Sequence, residues 1–143
     1  MFSASVIDRE LIQAYLETHY HVHGDAPATL RVGEPNAPLA ALHDASGVTC
    51  SAFITAWNPF SQQACDDATN ARRQAALACE LTRRGLTFID GIGQHPSNKW
   101  PGEASFLVLG IPLEDAKALG TEFEQNAIIW SGADAVPQLI LLR

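Results

Sequence analysis

Basic residues are scarce. The chain has 9 Lys and Arg against 16 Asp and Glu in 143 residues, a formal net charge of -7. Phosphate-binding surfaces are built from Lys and Arg gathered on one face, so this balance argues against a nucleic-acid partner. Long apolar runs are missing too. No stretch approaches the roughly 20 apolar residues that cross a bilayer, and the opening MFSASVIDRE has no basic stretch followed by an apolar one, so no membrane partner is expected. Cysteine is limited to Cys50, Cys65 and Cys79, an odd set without a CxxC pair. Such a set suits free thiols in a reducing compartment, and the cytoplasm is the expected location. Internal repeats, low-complexity tracts and linker-like stretches are absent as well, so residues 1–143 read as one domain. The 47% hydrophobic fraction is that of a folded chain with a real core.

Hydrophobic spacing orders that core. Asp8 to His19 reads as a helix, with Asp8 as N-cap and Leu11, Ile12, Tyr15 and Leu16 on one stripe. His19, His21 and His23 then alternate along HYHVH. On a strand they share a face, which describes either a metal site or a half-exposed strand with Tyr20 and Val22 packed inward. No further ligand cluster joins them, and the strand is the preferred reading. A short strand over 29–32, a turn over 33–38 and a short helix from Pro38 to His43 follow. Cys50 to Trp57 is apolar on both parities, the mark of a strand buried on both faces. Cys65 to Arg84 is the longest helix, closed by Gly85. Its stripe Asn70, Gln74, Leu77 and Leu81 is amide in its first half and apolar in its second. A stripe of Ala68, Ala71, Ala75 and Ala78 is small enough to pack closely on a sheet. Strands are expected over 86–89, 103–109, 127–130 and 138–142, with a helix over 112–123. A polar loop, DGIGQHPSNKWPGE, is expected over 90–103.

From Cys50 onward this order is β-α-β-β-α-β, so the expected fold is α+β. It comprises a ferredoxin-like sheet, an N-terminal helical extension to cover its second face, and a C-terminal strand. A right-handed crossover makes strands 50–57 and 86–89 parallel, with 104–109 antiparallel between them. Asn58, the amide end of the long helix, Glu103, Ser105 and Gln125 then fall at one end of the sheet. A polar cluster drawn from four segments is a better site candidate than any single residue.

Four stretches carry a resemblance: TAWNPFS (55–61), TNARRQAAL (69–77), GEASFLVLG (102–110) and FEQNAIIW (123–130). Together they resemble the bacterial "domain of unknown function 3293" family, over nearly the whole chain from about Asp8. The resemblance maps the family's Asn-Pro-x-Ser onto Asn58, Pro59 and Ser61, and its helix Asn onto Asn70. Glu-x-Ser becomes Glu103 and Ser105, and the Gln of Gln-x-Ala becomes Gln125. A Glu often precedes the helix Asn in the family; here Thr69 stands there. The resemblance implies where a site lies and no particular activity, cofactor or partner.

The residues themselves suggest the chemistry. Glu103 is the candidate general acid–base and Ser105 the candidate nucleophile, with Asp90 a distant second carboxylate. Ser61 and Cys65 are alternative nucleophiles, and none lies in a GxSxG elbow. His95 is the nearest imidazole, or else a solvated loop residue. Asn58, Ser61, Asn70, Gln74 and Gln125 could line a pocket for a small polar or nucleotide-like ligand, since carboxamides both donate and accept. They equally describe a buried network that fixes strand ends. Trp57 and Trp130 read as core, and Trp100 as a lid or a loop pin. The expected function is therefore binding of, or action on, a small polar ligand. The alternative is a protein-interaction module whose polar cluster is structural.

Overall fold

The computed structural model describes residues 5–62, 65–97 and 101–143. The described residues form four α-helices and a curled antiparallel sheet of seven strands. Helix α1 (Arg9–Glu17) starts where the Asp8 carboxylate accepts the Glu10 amide. Strands β1 (His19–Val22) and β2 (Ala28–Leu30) follow, then α2 (Ala37–Ser46), β3 (Ser51–Ile54) and a tight 3-10 turn over Pro59–Ser61. Helix α3 (Asp67–Arg83) leads to β4 (Thr87–Gln94) and β5 (Glu103–Leu109). The chain ends with α4 (Leu113–Glu122), β6 (Ala127–Ser131) and β7 (Gln138–Leu141).

The sheet order is β2-β1-β4-β5-β3-β6-β7. Strand β5 lies between β3 and β4 and is antiparallel to each, so β3 and β4 run the same way. Both faces of the centre are covered, as the double parity of β3 requires. Ala52 and Ile54 join Leu77 and Leu81 of α3 and Leu119 of α4 in one core. Phe53, between them, packs on the other face with Leu107, Ile129 and Leu39 of α2.

The N-terminal helical extension needs correction. The strands read over HYHVH and 29–32 are not separate from the sheet: as β1 and β2 they extend its edge beside β4. What makes room for them is β4 itself, which continues through residues 90–94 of the expected loop. Gly91 to Gln94 pairs with His19 to Val22, while Thr87 to Gly93 pairs with β5. Gly91 and Gly93, which suggested a loop, are strand residues, and the first is there for space. A Cβ on Gly91 would lie 2.5 Å from the His21 carbonyl oxygen and 2.9 Å from Phe53 Cε2. Glycine within a strand marks such a close approach.

Helix α3 keeps the expected buried stripe of Asn70, Gln74, Leu77 and Leu81. The alanine stripe does not pack on the sheet. Ala68, Ala71 and Ala75 face solvent, and only Ala78 reaches the core edge. Trp130 packs on the core and donates its indole N–H to the Ile111 carbonyl at 3.1 Å, whereas Trp57 is half-buried. Tyr20 and Val22 are buried, as the strand reading of HYHVH expects, and His21 meets Thr29 across the β1–β2 pair.

Candidate functional site

Strand β3 ends at Ile54, and the chain must then leave the sheet over the start of α3. The amide half of the α3 stripe receives it. Gln74 Oε1 accepts the Ala56 backbone N–H at 2.9 Å. Asn70 Oδ1 accepts the Asn58 N–H at 2.8 Å, and Asn70 Nδ2 donates to Asn58 Oδ1 at 2.9 Å. Arg73, on the same helix, donates to the carbonyls of Ala56 (2.8 Å) and Phe123 (2.7 Å), tying β3's exit to the end of α4.

The turn that follows is strained. Asn58, Phe60 and Ser61 all have left-handed backbone, with φ of 48°, 54° and 60°. Asn tolerates this region, but for Phe and Ser it costs roughly 1–3 kcal/mol apiece, and such geometry persists only when neighbours impose it. Here they do. Phe60 N–H donates to the Glu124 carbonyl at 2.7 Å, and Asn126 Nδ2 donates to the Phe60 carbonyl at 3.1 Å. The Arg143 guanidinium lies 4.1 Å from the Phe60 ring centre.

The turn presents Ser61 to Tyr15 of α1, and the two hydroxyls hydrogen-bond. Asn126 Nδ2 also donates to the Tyr15 hydroxyl, at 3.0 Å. Helix α1 thus closes over one end of the sheet and encloses a cavity of about 180 Å³. Its apolar walls include Phe53, Tyr20 and Ile129, and its polar edge is Glu103, Ser105 and Gln125. An engineered cavity of about 150 Å³ holds benzene, whereas pockets for drug-sized ligands run to roughly 300–1,000 Å³. This one has room for a single small ring system.

Glu103 is the central polar group. Asn58 Nδ2 donates to its Oε2 at 3.0 Å, so the chain Asn70–Asn58–Glu103 orients the carboxylate. Burial raises its pKa above the ordinary carboxylate value, and the Asn58 hydrogen bond offsets part of that rise. Burial likewise raises the Tyr15 pKa, with the Ser61 and Asn126 hydrogen bonds opposing it and the Glu103 charge adding to it.

The expected site residues therefore divide. Glu103, Ser105, Gln125, Ser61 and His95 line the cavity. Asn58, Asn70 and Gln74 stand behind it as a brace for β3's exit and for Glu103. Ser105 Oγ donates to the Glu103 backbone carbonyl at 2.9 Å and meets no imidazole there. Cys65 is not among the cavity residues. His95 is not a solvated loop residue. Its side chain is 12% exposed; Nδ1 accepts the Ser97 N–H at 3.1 Å, which leaves Nε2–H to reach Glu17 of α1 at 3.0 Å. Trp100 lies outside the described residues. A second imidazole–hydroxyl pair, His43 with Ser51 at 2.8 Å, is buried on the α2 side and lies outside the cavity lining. Among the described residues, no group of three or more His, Cys, Asp or Glu side chains could hold a metal ion.

Sequence reasoning missed Tyr15, Asn126 and Arg73. Tyr15 carries the spacing of an ordinary helix stripe, and nothing local says that α1 folds back on the 58–61 turn. Asn126 did carry a signal: it is polar, directly follows Gln125, and opens a buried strand.

The family model described as "Protein of unknown function (DUF3293)" matches residues 54–128. That is about half of the chain, so the resemblance expected from Asp8 onward holds from Ile54 to Ile128. Every expected site residue lies inside that span. No curated protein and no solved structure matches the chain.

Proposed function

The chain belongs to the domain of unknown function 3293 family, and from that premise we propose that it is a small-ligand-binding domain. Its site is the cavity under α1, and the ligand meets Glu103, Ser105 and Gln125. The observation that carries this reading is the cavity itself, lined by α1 and by strands from across the sheet, with an oriented, partly desolvated carboxylate on its edge. Its volume suits a nucleobase-sized ring and not a whole nucleotide. Glu103 is then the group through which any proton transfer would pass. The acidic balance supports a ligand that is not a nucleic acid. No helix among the described residues is long and apolar enough to cross a membrane, which together with three free cysteines supports a cytoplasmic reading. We read β3-α3-β4-β5-α4-β6 as a ferredoxin-like unit enlarged by β1, β2 and β7; the order β4-β5-β3-β6 supports this.

One observation favours the alternative, a protein-interaction module with a structural polar cluster. The polar atoms of Asn58 and Asn70 bond each other, the backbone or Glu103. A thermal-shift screen of nucleobases, nucleosides, amino acids and divalent metals separates the two readings. A ligand that raises the melting temperature of wild type but not of Glu103→Gln supports the pocket, since stabilisation follows mass action. Silence from the whole library, with a co-purifying protein partner, supports the module.

A further inference from the structure

Most of the cavity's side-chain donors are committed, the Tyr15–Ser61 pair keeping one hydroxyl proton spare, and two of its acceptors are not. Gln125 Nε2 donates to the carbonyls of Trp57 (3.3 Å) and Phe123 (3.2 Å). Asn126 Nδ2 donates to Tyr15 and Phe60, and the Tyr20 hydroxyl to the Tyr15 carbonyl at 2.7 Å. The Ser105 hydroxyl proton goes to the Glu103 carbonyl. Among the described residues, Glu103 Oε1 and Gln125 Oε1 accept no hydrogen bond. A ligand that supplies N–H or O–H groups would satisfy them.

Charge narrows the choice. Among the described residues, no Lys or Arg lines the cavity, Glu103 is its one carboxylate, and His95 is held by Glu17 and Ser97. An anionic ligand would meet that carboxylate and, among the described residues, no Lys or Arg. The apolar walls mix aliphatic residues such as Leu11, Ile129 and Leu139 with the aromatic rings of Tyr20 and Phe53, set edge to face at 5.3 Å. Aromatic faces attract cations.

Resting on the pocket reading above, we propose that the ligand is a small flat organic cation of the amidinium or guanidinium class. Its N–H groups bond Glu103 Oε1 and Gln125 Oε1, and its plane lies among Tyr15, Tyr20 and Phe53. A cation beside Glu103 also favours the ionised carboxylate that burial alone disfavours.

Three probes of one shape test this: benzamidine, its neutral analogue benzamide and the anion benzoate. Binding is followed by amide chemical shifts of the full chain, which also report whether each variant is folded. Benzamidine is expected to give saturable shifts at the cavity residues, with benzoate giving none. Glu103→Gln should weaken benzamidine by about tenfold or more and benzamide far less, because a charge-assisted hydrogen bond is lost only for the cation. Benzamidine affinity should rise with pH in wild type as Glu103 ionises, and should stay flat in Glu103→Gln. Benzoate or benzamide binding as well as benzamidine would overturn the cation inference and leave the pocket reading standing. Xenon entering while all three rings are excluded would do the same. Exclusion of xenon and of every ring would overturn both.

Discussion

Asn58 and Asn70 hold each other by two reciprocal hydrogen bonds, backbone N–H to side-chain oxygen one way and side-chain amide to side-chain oxygen the other. Both residues are buried, at 4% and 2% exposure. Asn70→Ala strands both atoms of Asn58 in the interior, so it should lower folding stability by about 1–3 kcal/mol. Urea unfolding measures this. An unchanged midpoint would show that water replaces both bonds without cost.

Glu103 should make stability depend on pH in an unusual direction. Its folded pKa lies above the ordinary value of 4.5, so between the two the native state binds the extra proton. Its contribution therefore improves as pH falls through the folded pKa, and is lost as pH rises through it. Glu80, held near 2 by Arg83 and Arg84, acts oppositely: it supports the fold above 4.5 and loses that support on acidification. The difference between wild type and Glu103→Gln isolates the first effect. Above pH 4.5, acidification should raise the melting temperature of wild type relative to the variant. A constant difference would contradict the burial of Glu103.

Helix α4 ends with Glu124 in a place made for glycine. Gln125 N–H reaches the Gly120 carbonyl at 2.9 Å and Glu124 N–H the Thr121 carbonyl at 3.1 Å, with Glu124 left-handed at φ 59°. Glu124→Gly should therefore stabilise the fold by up to about 1 kcal/mol, since it removes the Cβ penalty. The half-exposed contact with Arg73 at 3.4 Å is lost, a smaller effect for a surface pair. Calorimetry of the variant checks the sign.

Gly91→Ala tests the crowding of β4. The added methyl would meet backbone on one side and the Phe53 ring on the other. A loss of about 1–3 kcal/mol is expected for such overpacking. Adding Phe53→Leu should recover part of it, because the ring contact then relaxes. No recovery in the double variant would place the whole conflict at the His21 carbonyl.

Regular spacing made much of this legible. The double apolar parity of Cys50–Trp57 placed the central strand β3, and β5 spans Glu103–Leu109 as expected. The amide-to-apolar change along α3 located the buried polar corner before any contact was known. Residues 90–94 were hidden because glycine signals a loop when its neighbours are unknown; only the approach of His21 and Phe53 explains Gly91. Tyr15 was hidden for a different reason. Its partner Ser61 is 46 positions away, and helix periodicity says which way a side chain points but not what it meets. The exposure of Ala68, Ala71 and Ala75 shows the same limit: small residues permit close packing without causing it.

The family match begins at Ile54, yet the cavity is closed by Leu11, Tyr15 and Thr18. The buried carboxylate and the helix that covers it thus belong to different stretches of chain. The acceptor edge of Glu103 and Gln125 sits in the shared segment, while the opposite wall is contributed by residues that the family pattern does not reach. A fragment trimmed to 54–128 would keep the carboxylate and leave it facing water.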